Sequence, residues 1–118
     1  TISIKDDGVT PAKAVAGRNA QTGTTYTLAL TDNLKTITMS NASANTLTIP
    51  TNASVAFTAD EVRIDVFMLG AGVTTITGDT GVTVNGVSAG SGVLAQYGAC
   101  SLLKIDTDTW IAIGLTVA

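Results

Sequence analysis

From Thr24 to Val117 apolar side chains recur at alternate positions, in short runs broken by Gly, Asn, Asp and Ser. A repeat of two is the period of a pleated strand, whose successive side chains point to opposite faces. "TTYTLAL" places Tyr26, Leu28 and Leu30 on one face and Thr25, Thr27 and Ala29 on the other. "LKTITM" offers Ile37 and Met39 to one face, and "TLTIP" offers Leu47 and Ile49 before Pro50 ends the strand. In "EVRIDVFML", Val62, Ile64, Val66 and Met68 share a face. The opposite face starts polar at Arg63 and Asp65 and turns apolar at Phe67 and Leu69, so this strand is expected to end covered on both sides.

The later strands follow the same rule. Asn85-Gly86 between "VTV" and "VS" is the strongest hairpin signal, because a two-residue loop needs positive φ at both positions. "VLAQYGACSLLKI" and "WIAIGLTV" are the last long strands, joined by the turn "DTDT". Ile111, Ile113, Leu115 and Val117 are expected to line one face of the final strand. Trp110, just after the turn, is expected to pack over the end of a sheet. Short strands with such turns predict an all-β fold, a small antiparallel β-sandwich or barrel spanning residues 24–118.

Residues 1–23 break the pattern. "KDDGVTPAKAVAGRNAQTG" holds charge, Gly, Ala and one Pro, but few large apolar anchors. A segment of this kind cannot build its own core and gains order on a partner's surface or sheet edge. It is read as an extended N-terminal arm, with Ile2, Ile4, Lys5, Val9, Pro11, Lys13, Val15 and Arg18 as its partner-binding residues. "ISI" at residues 2–4 has the alternation of an added strand.

Chemistry has few carriers in this chain. It has no His and one Cys, which removes His-based triads, the usual neutral-pH general base and ordinary structural zinc sites. Cys100, in "GACSLLKI", is read as a buried, inert thiol. The acidic pairs Asp6/Asp7, Asp60/Glu61 and Asp106/Asp108 read as turns and strand starts, and "NAS" at Asn41 and at Asn52 reads as turn sequence. The expectation is no enzyme, no cofactor and no metal. Net charge is −3 without a basic cluster, which argues against nucleic acid, and no apolar run is long enough to span a membrane as a helix. Charged residues are only 13% of the chain, about half the usual share. Apolar surface left over on such a chain marks an interface, and Phe67, Leu69, Leu94 and Leu102 are the expected subunit-interface residues.

The run "TTYTLALTDNLKTITMSNASANTLTIPTNASVAF", followed by "GAGVTTITGDTGVTVNG" and "LLKIDTDTWIAIG", resembles a β-domain of tailed-phage virion surface proteins. The resemblance covers roughly residues 24–117. It implies a homotrimer without catalytic residues, found either in capsid decoration (cement) proteins or in tail- and head-fibre domains. "DGVTPAKAVAGRN" resembles the arm that precedes such domains. The expected role is decoration of the outer surface of a phage head, with the arm lying on the major capsid protein. A small residue at position 1, suited to trimming of an initiator Met, makes a whole small protein the expectation. The alternative is a fibre domain whose loops around residues 70–72 and 87–92 touch a host surface receptor.

Overall fold

The computed structural model describes residues 17–118. The expected partner residues Ile2, Ile4, Lys5, Val9, Pro11, Lys13 and Val15 lie outside the described residues. The described chain is all-β, two sheets packed face to face.

The strands are β1 (Arg18–Gln21), β2 (Thr25–Thr27), β3 (Thr36–Met39), β4 (Asn45–Ile49), β5 (Val62–Met68), β6 (Thr74–Gly78), β7 (Thr83–Val84), β8 (Val87–Ser88), β9 (Ser91–Leu94), β10 (Ala99–Asp106) and β11 (Thr109–Ile113). Sheet A has the order β1-β3-β5-β10-β11-β7-β8, and sheet B the order β2-β4-β6-β9. The all-β expectation holds; the purely antiparallel one does not. β1, β3 and β5 pair in parallel, as do β2, β4 and β6. From β1 to β6 the chain steps from one sheet to the other at every turn, so each strand from β3 on returns beside the strand two before it. The first half is thus a coil of stacked rungs, β1–β2, β3–β4 and β5–β6. The second half closes it with antiparallel strands, β9 against β6 and β10 against β5.

Stacked rungs need stacked corners, and these explain two glycines. Asn41 Nδ2 donates to the Thr22 carbonyl one rung below (2.9 Å), and the Gly72 amide donates to the Asn41 carbonyl (2.9 Å). A Cβ on Gly70 would stand 2.3 Å from the Asn41 amide nitrogen, and one on Gly72 only 2.0 Å from the Ser43 carbonyl oxygen. No side chain fits between corners this close. The β7–β8 hairpin turns on Asn85 (φ 49°) and Gly86 (φ 80°), as its sequence signal predicts.

The core lies between the sheets and is built from the inward residues of every rung: Ile37 and Met39, Leu47 and Ile49, Ile64 and Val66, Ile76, Leu102. Trp110 is buried, its ring edge-on to Phe57 at 5.5 Å and 89°. Buried Lys104 reaches across to the loop after β4, donating to Asn52 Oδ1 (2.7 Å) and the Phe57 carbonyl (2.8 Å). The core's open end is closed by polar groups. On β1, Asn19 and Gln21 occupy the positions that Ile37 and Met39 fill one rung later. Asn19 Nδ2 donates to Tyr26 Oη and to Asp32 Oδ1, both at 2.8 Å, and Tyr26 Oη donates to Asp32 Oδ2 at 2.5 Å. Asp32, at the end of a 3₁₀ turn (Leu30–Asp32), also accepts the Ala29 amide, so this buried carboxylate is fully engaged. Burial and the neighbouring Asp32 push the Tyr26 hydroxyl up to about 12.

Three further expectations are corrected here. Residues 18–21, read as part of the arm, form β1 inside sheet A, because parallel pairing with β3 stabilises a stretch that lacks apolar anchors. Arg18 accordingly stands at the root of the domain, its Nε donating to Thr38 Oγ1 (3.0 Å). Leu30 does not share a strand face with Tyr26 and Leu28: it lies on the 3₁₀ turn and is exposed. Ile111 and Ile113 do not share a face with Leu115: on β11 Trp110 and Ala112 face the core and Ile111 and Ile113 face out, while Leu115, past the strand, is buried.

Candidate interaction surface

Burial of Trp110 sets the register of the last two strands and so decides what sheet A shows to the outside. Opposite β11, Lys104 pairs with Trp110, Leu103 with Ile111, Leu102 with Ala112 and Ser101 with Ile113. Trp110 inward therefore puts Leu102 inward and Leu103, Ile111 and Ile113 outward. Across β5, Ala99 pairs with Phe67, which extends the same outer face. Phe67, Ala99, Leu103, Ile111 and Ile113 form an apolar patch across three adjacent strands. Phe67 is 44% exposed and Ile113 53%. Between Phe67, Ala99, Ser101 and Ile113 the surface dips into a depression of about 290 Å³, floored by the Cys100 backbone position and edged by Asp65.

A polar row crosses the patch. Ser101 Oγ donates to Asp65 Oδ1 (2.6 Å), Arg63 Nη2 donates to Ser101 Oγ (3.2 Å), and Arg63 Nε lies 3.5 Å from Asp65 Oδ1. These groups satisfy one another without a partner. A surface laid over them would not strand an unpaired charge. Cys100 points inward, and burial, with a smaller contribution from the Asp65 charge, pushes its thiol up to about 12. It is an unreactive group at neutral pH.

The four expected interface residues divide. Phe67 lies in the patch, and Leu69, also exposed, follows β5 beyond it. Within the protomer neither is covered on its outer side. Leu94 and Leu102 do not belong to an interface: they are 5% and 0% exposed, in the protomer core. Reading the sequence alone missed Leu103, Ile111 and Ile113. The signal that could have found them is Trp110, whose size claims the inward side of its strand.

The two turn aspartates divide: Asp106 bonds its own turn as expected, and Asp108 bonds the loop after β4. Asp106 Oδ1 accepts the Thr107 amide (2.7 Å), and Asp108 Oδ1 accepts the Asn52 amide (2.6 Å). Asn41 and Asn52 both serve the fold, one at a corner stack and one as the Lys104 acceptor. Among the described residues no group of three His, Cys, Asp or Glu side chains is placed to hold a metal. No helix there is long and apolar enough to cross a membrane. Comparison with family models, with curated proteins and with solved structures gives no match.

Proposed function

We propose that the protein is a non-catalytic structural component of a tailed-phage virion: a capsid decoration protein that assembles as a homotrimer on the outside of the head. The observation that carries the assembly reading is the apolar outer face of sheet A, where Phe67 and Ile113 are about half exposed and share the face with Ala99, Leu103 and Ile111 on three adjacent strands. Contiguous apolar surface rimmed by polar groups is what subunit interfaces bury. A closed three-fold ring hides such a patch on every copy, whereas an open contact would leave one uncovered at each end. The virion reading rests on the sequence resemblance from Thr24 to Val117, including "LLKIDTDTWIAIG", whose Trp110 is buried in the core and whose turn lies at the surface.

Attachment to the major capsid protein falls to residues 1–16, rooted at Arg18 on β1. Lys5 and Lys13 meet acidic capsid surface, each exposed pair contributing only about 0–1 kcal/mol. Three such segments on one trimer raise one another's effective concentration, so repetition supplies the strength. Binding to empty phage heads tests this. The intact protein is expected to bind, and a chain lacking residues 1–16 to bind far more weakly. Undiminished binding by the truncated chain contradicts the attachment reading. An intact protein that ignores heads and binds host cells is a fibre domain with a host surface receptor instead.

A further inference from the structure

Lys104 is an anomaly in this core. It is 2% exposed, and lysine is rarely buried without an opposite charge beside it. Among the described residues the one ion pair is Arg63 with Asp65, so no carboxylate oxygen lies within 4.0 Å of Lys104 Nζ. Its contacts are neutral oxygens, Asn52 Oδ1 at 2.7 Å and the Phe57 carbonyl at 2.8 Å. An ammonium carries three N–H donors, and among the described residues only these two acceptors meet it. A buried cation with a donor to spare is costly.

The groups around it are fixed. Lys104 stands opposite Trp110 in register, and both side chains are buried with Phe57, whose ring meets the Trp110 ring edge-on. Asn52 is held from its backbone side, where its amide donates to Asp108 Oδ1 (2.6 Å). The turn that follows is closed by the Ser54 and Val55 amides, which donate to the Thr51 carbonyl (3.1 and 3.0 Å). Asn52 Nδ2 donates to no group among the described residues, and the residue is half-buried, so that nitrogen is free to leave. Asn52 Cγ lies one C=O bond, about 1.2 Å, beyond the oxygen that Nζ already touches. A small turn of the carboxamide brings Nζ and Cγ to the separation of about 3–3.5 Å at which attack begins.

We infer that Lys104 and Asn52 join through an isopeptide bond between their side chains. The ammonium gives one proton to water, and the free amine attacks Cγ and forms the new C–N bond. The Cγ–Nδ2 bond breaks, and Nδ2 leaves as ammonia with a second proton from Nζ. Nothing is oxidised or reduced. The product removes both faults of the buried ammonium. The positive charge passes to solvent, and the secondary amide keeps a single N–H, for which the Phe57 carbonyl is the acceptor at hand. The bond ties β10 to the loop after β4 across 52 positions of the chain. The inference goes beyond the decoration reading and stands without it.

The test is the intact mass of the full-length protein, folded, purified and then denatured, beside Asn52→Ala. The parent is expected to weigh one ammonia less than its sequence, and Asn52→Ala to have the full mass of its own. Trypsin locates the bond. Cuts after Lys35, Arg63 and Lys104 would release residues 36–63, 64–104 and 105–118 as separate peptides. A crosslinked Lys104 resists cleavage, so the parent is expected to give a branched product, residues 36–63 joined to residues 64–118. Asn52→Ala is expected to give the three peptides separately. A parent at the full mass of its sequence overturns the bond. So does a parent that lacks one ammonia yet releases the three peptides separately, because the loss is then a cyclised asparagine.

Discussion

The outer face of sheet B carries Thr25, Thr27, Thr46, Thr48, Thr75 and Thr77; the outer face of sheet A carries Phe67, Ala99, Leu103, Ile111 and Ile113. Both sheets bury large apolar side chains on their inner faces, Ile, Leu, Val and Met in sheet A and Ile and Leu with Tyr26 in sheet B. The same pleat therefore leads to opposite outsides. Threonine's β-branch favours the strand and its hydroxyl keeps the face wet. Isoleucine and phenylalanine serve the strand equally well but leave apolar area in water, about 25 cal/mol for each Å² that a partner could remove. Strand propensity alone would have allowed threonine on both faces. Sheet A departs from that on β5, β10 and β11, the strands in its middle.

Neighbouring leucines on β10 separate the two uses of apolar surface, and they give the largest expected effect. Leu102 faces the core and Leu103 faces out. Leu102→Ala is expected to lower unfolding stability by about 2–5 kcal/mol, through lost transfer energy and the cavity it leaves. Leu103→Glu is expected to leave the fold intact by circular dichroism and to abolish self-association. A Leu103→Glu protein that keeps its assembled mass would break the comparison, because the outer face of sheet A would then be ordinary surface.

An alkaline titration probes the inner side of the same strands with a smaller effect. The Cys100 thiol ionises near 9 when unfolded and is pushed up to about 12 in the fold. The folded state therefore holds its proton where the unfolded state has lost it. The resulting stability is complete below pH 9 and is lost as pH rises from 9 toward 12. Tyr26, pushed from 10 to about 12, adds a second loss of the same sign above pH 10. Urea midpoints are expected to fall steadily above pH 9. Cys100→Ala is expected to flatten the curve between pH 9 and 10, leaving only the decline that Tyr26 brings above pH 10.

The smallest expected effect belongs to sheet B. Thr48→Val keeps the β-branch and exchanges only an outward hydroxyl, so stability is expected to stay within about 0.5 kcal/mol and the mass to stay unchanged. A mass change on Thr48→Val would move the interface to the face read here as solvated.

Much of this was legible in the sequence where one face is apolar and the other polar. Ile37 and Met39, Leu47 and Ile49, and Val62, Ile64, Val66 and Met68 all point inward as their alternation requires. The hairpin at Asn85-Gly86 was legible because its backbone conformation demands those residues. Strand direction was not. Short connections such as the one from Met39 to Asn45 read as hairpins, yet each carries the chain to the opposite sheet. That choice depends on corners stacking, with Gly70 over Asn41 and Gly72 over Ser43, contacts between segments distant in sequence. The face of β11 was ambiguous because Trp110-Ile111-Ala112-Ile113 is apolar on both sides. Alternation cannot choose between two apolar faces; the fit of Trp110 against Phe57 does. For the same reason Leu102 and Leu103, adjacent in "SLLK", could be told apart only by their register to β5 and β11.

The central claim is that the outer face of sheet A meets other copies of the chain. Sedimentation equilibrium of the unmodified protein at micromolar concentration, beside Ile113→Glu, tests it most directly. The account predicts three times the 11.9 kDa chain mass for the parent and a single chain mass for the variant. A parent protein that sediments at 11.9 kDa across that range, or an Ile113→Glu protein that keeps the threefold mass, would contradict it.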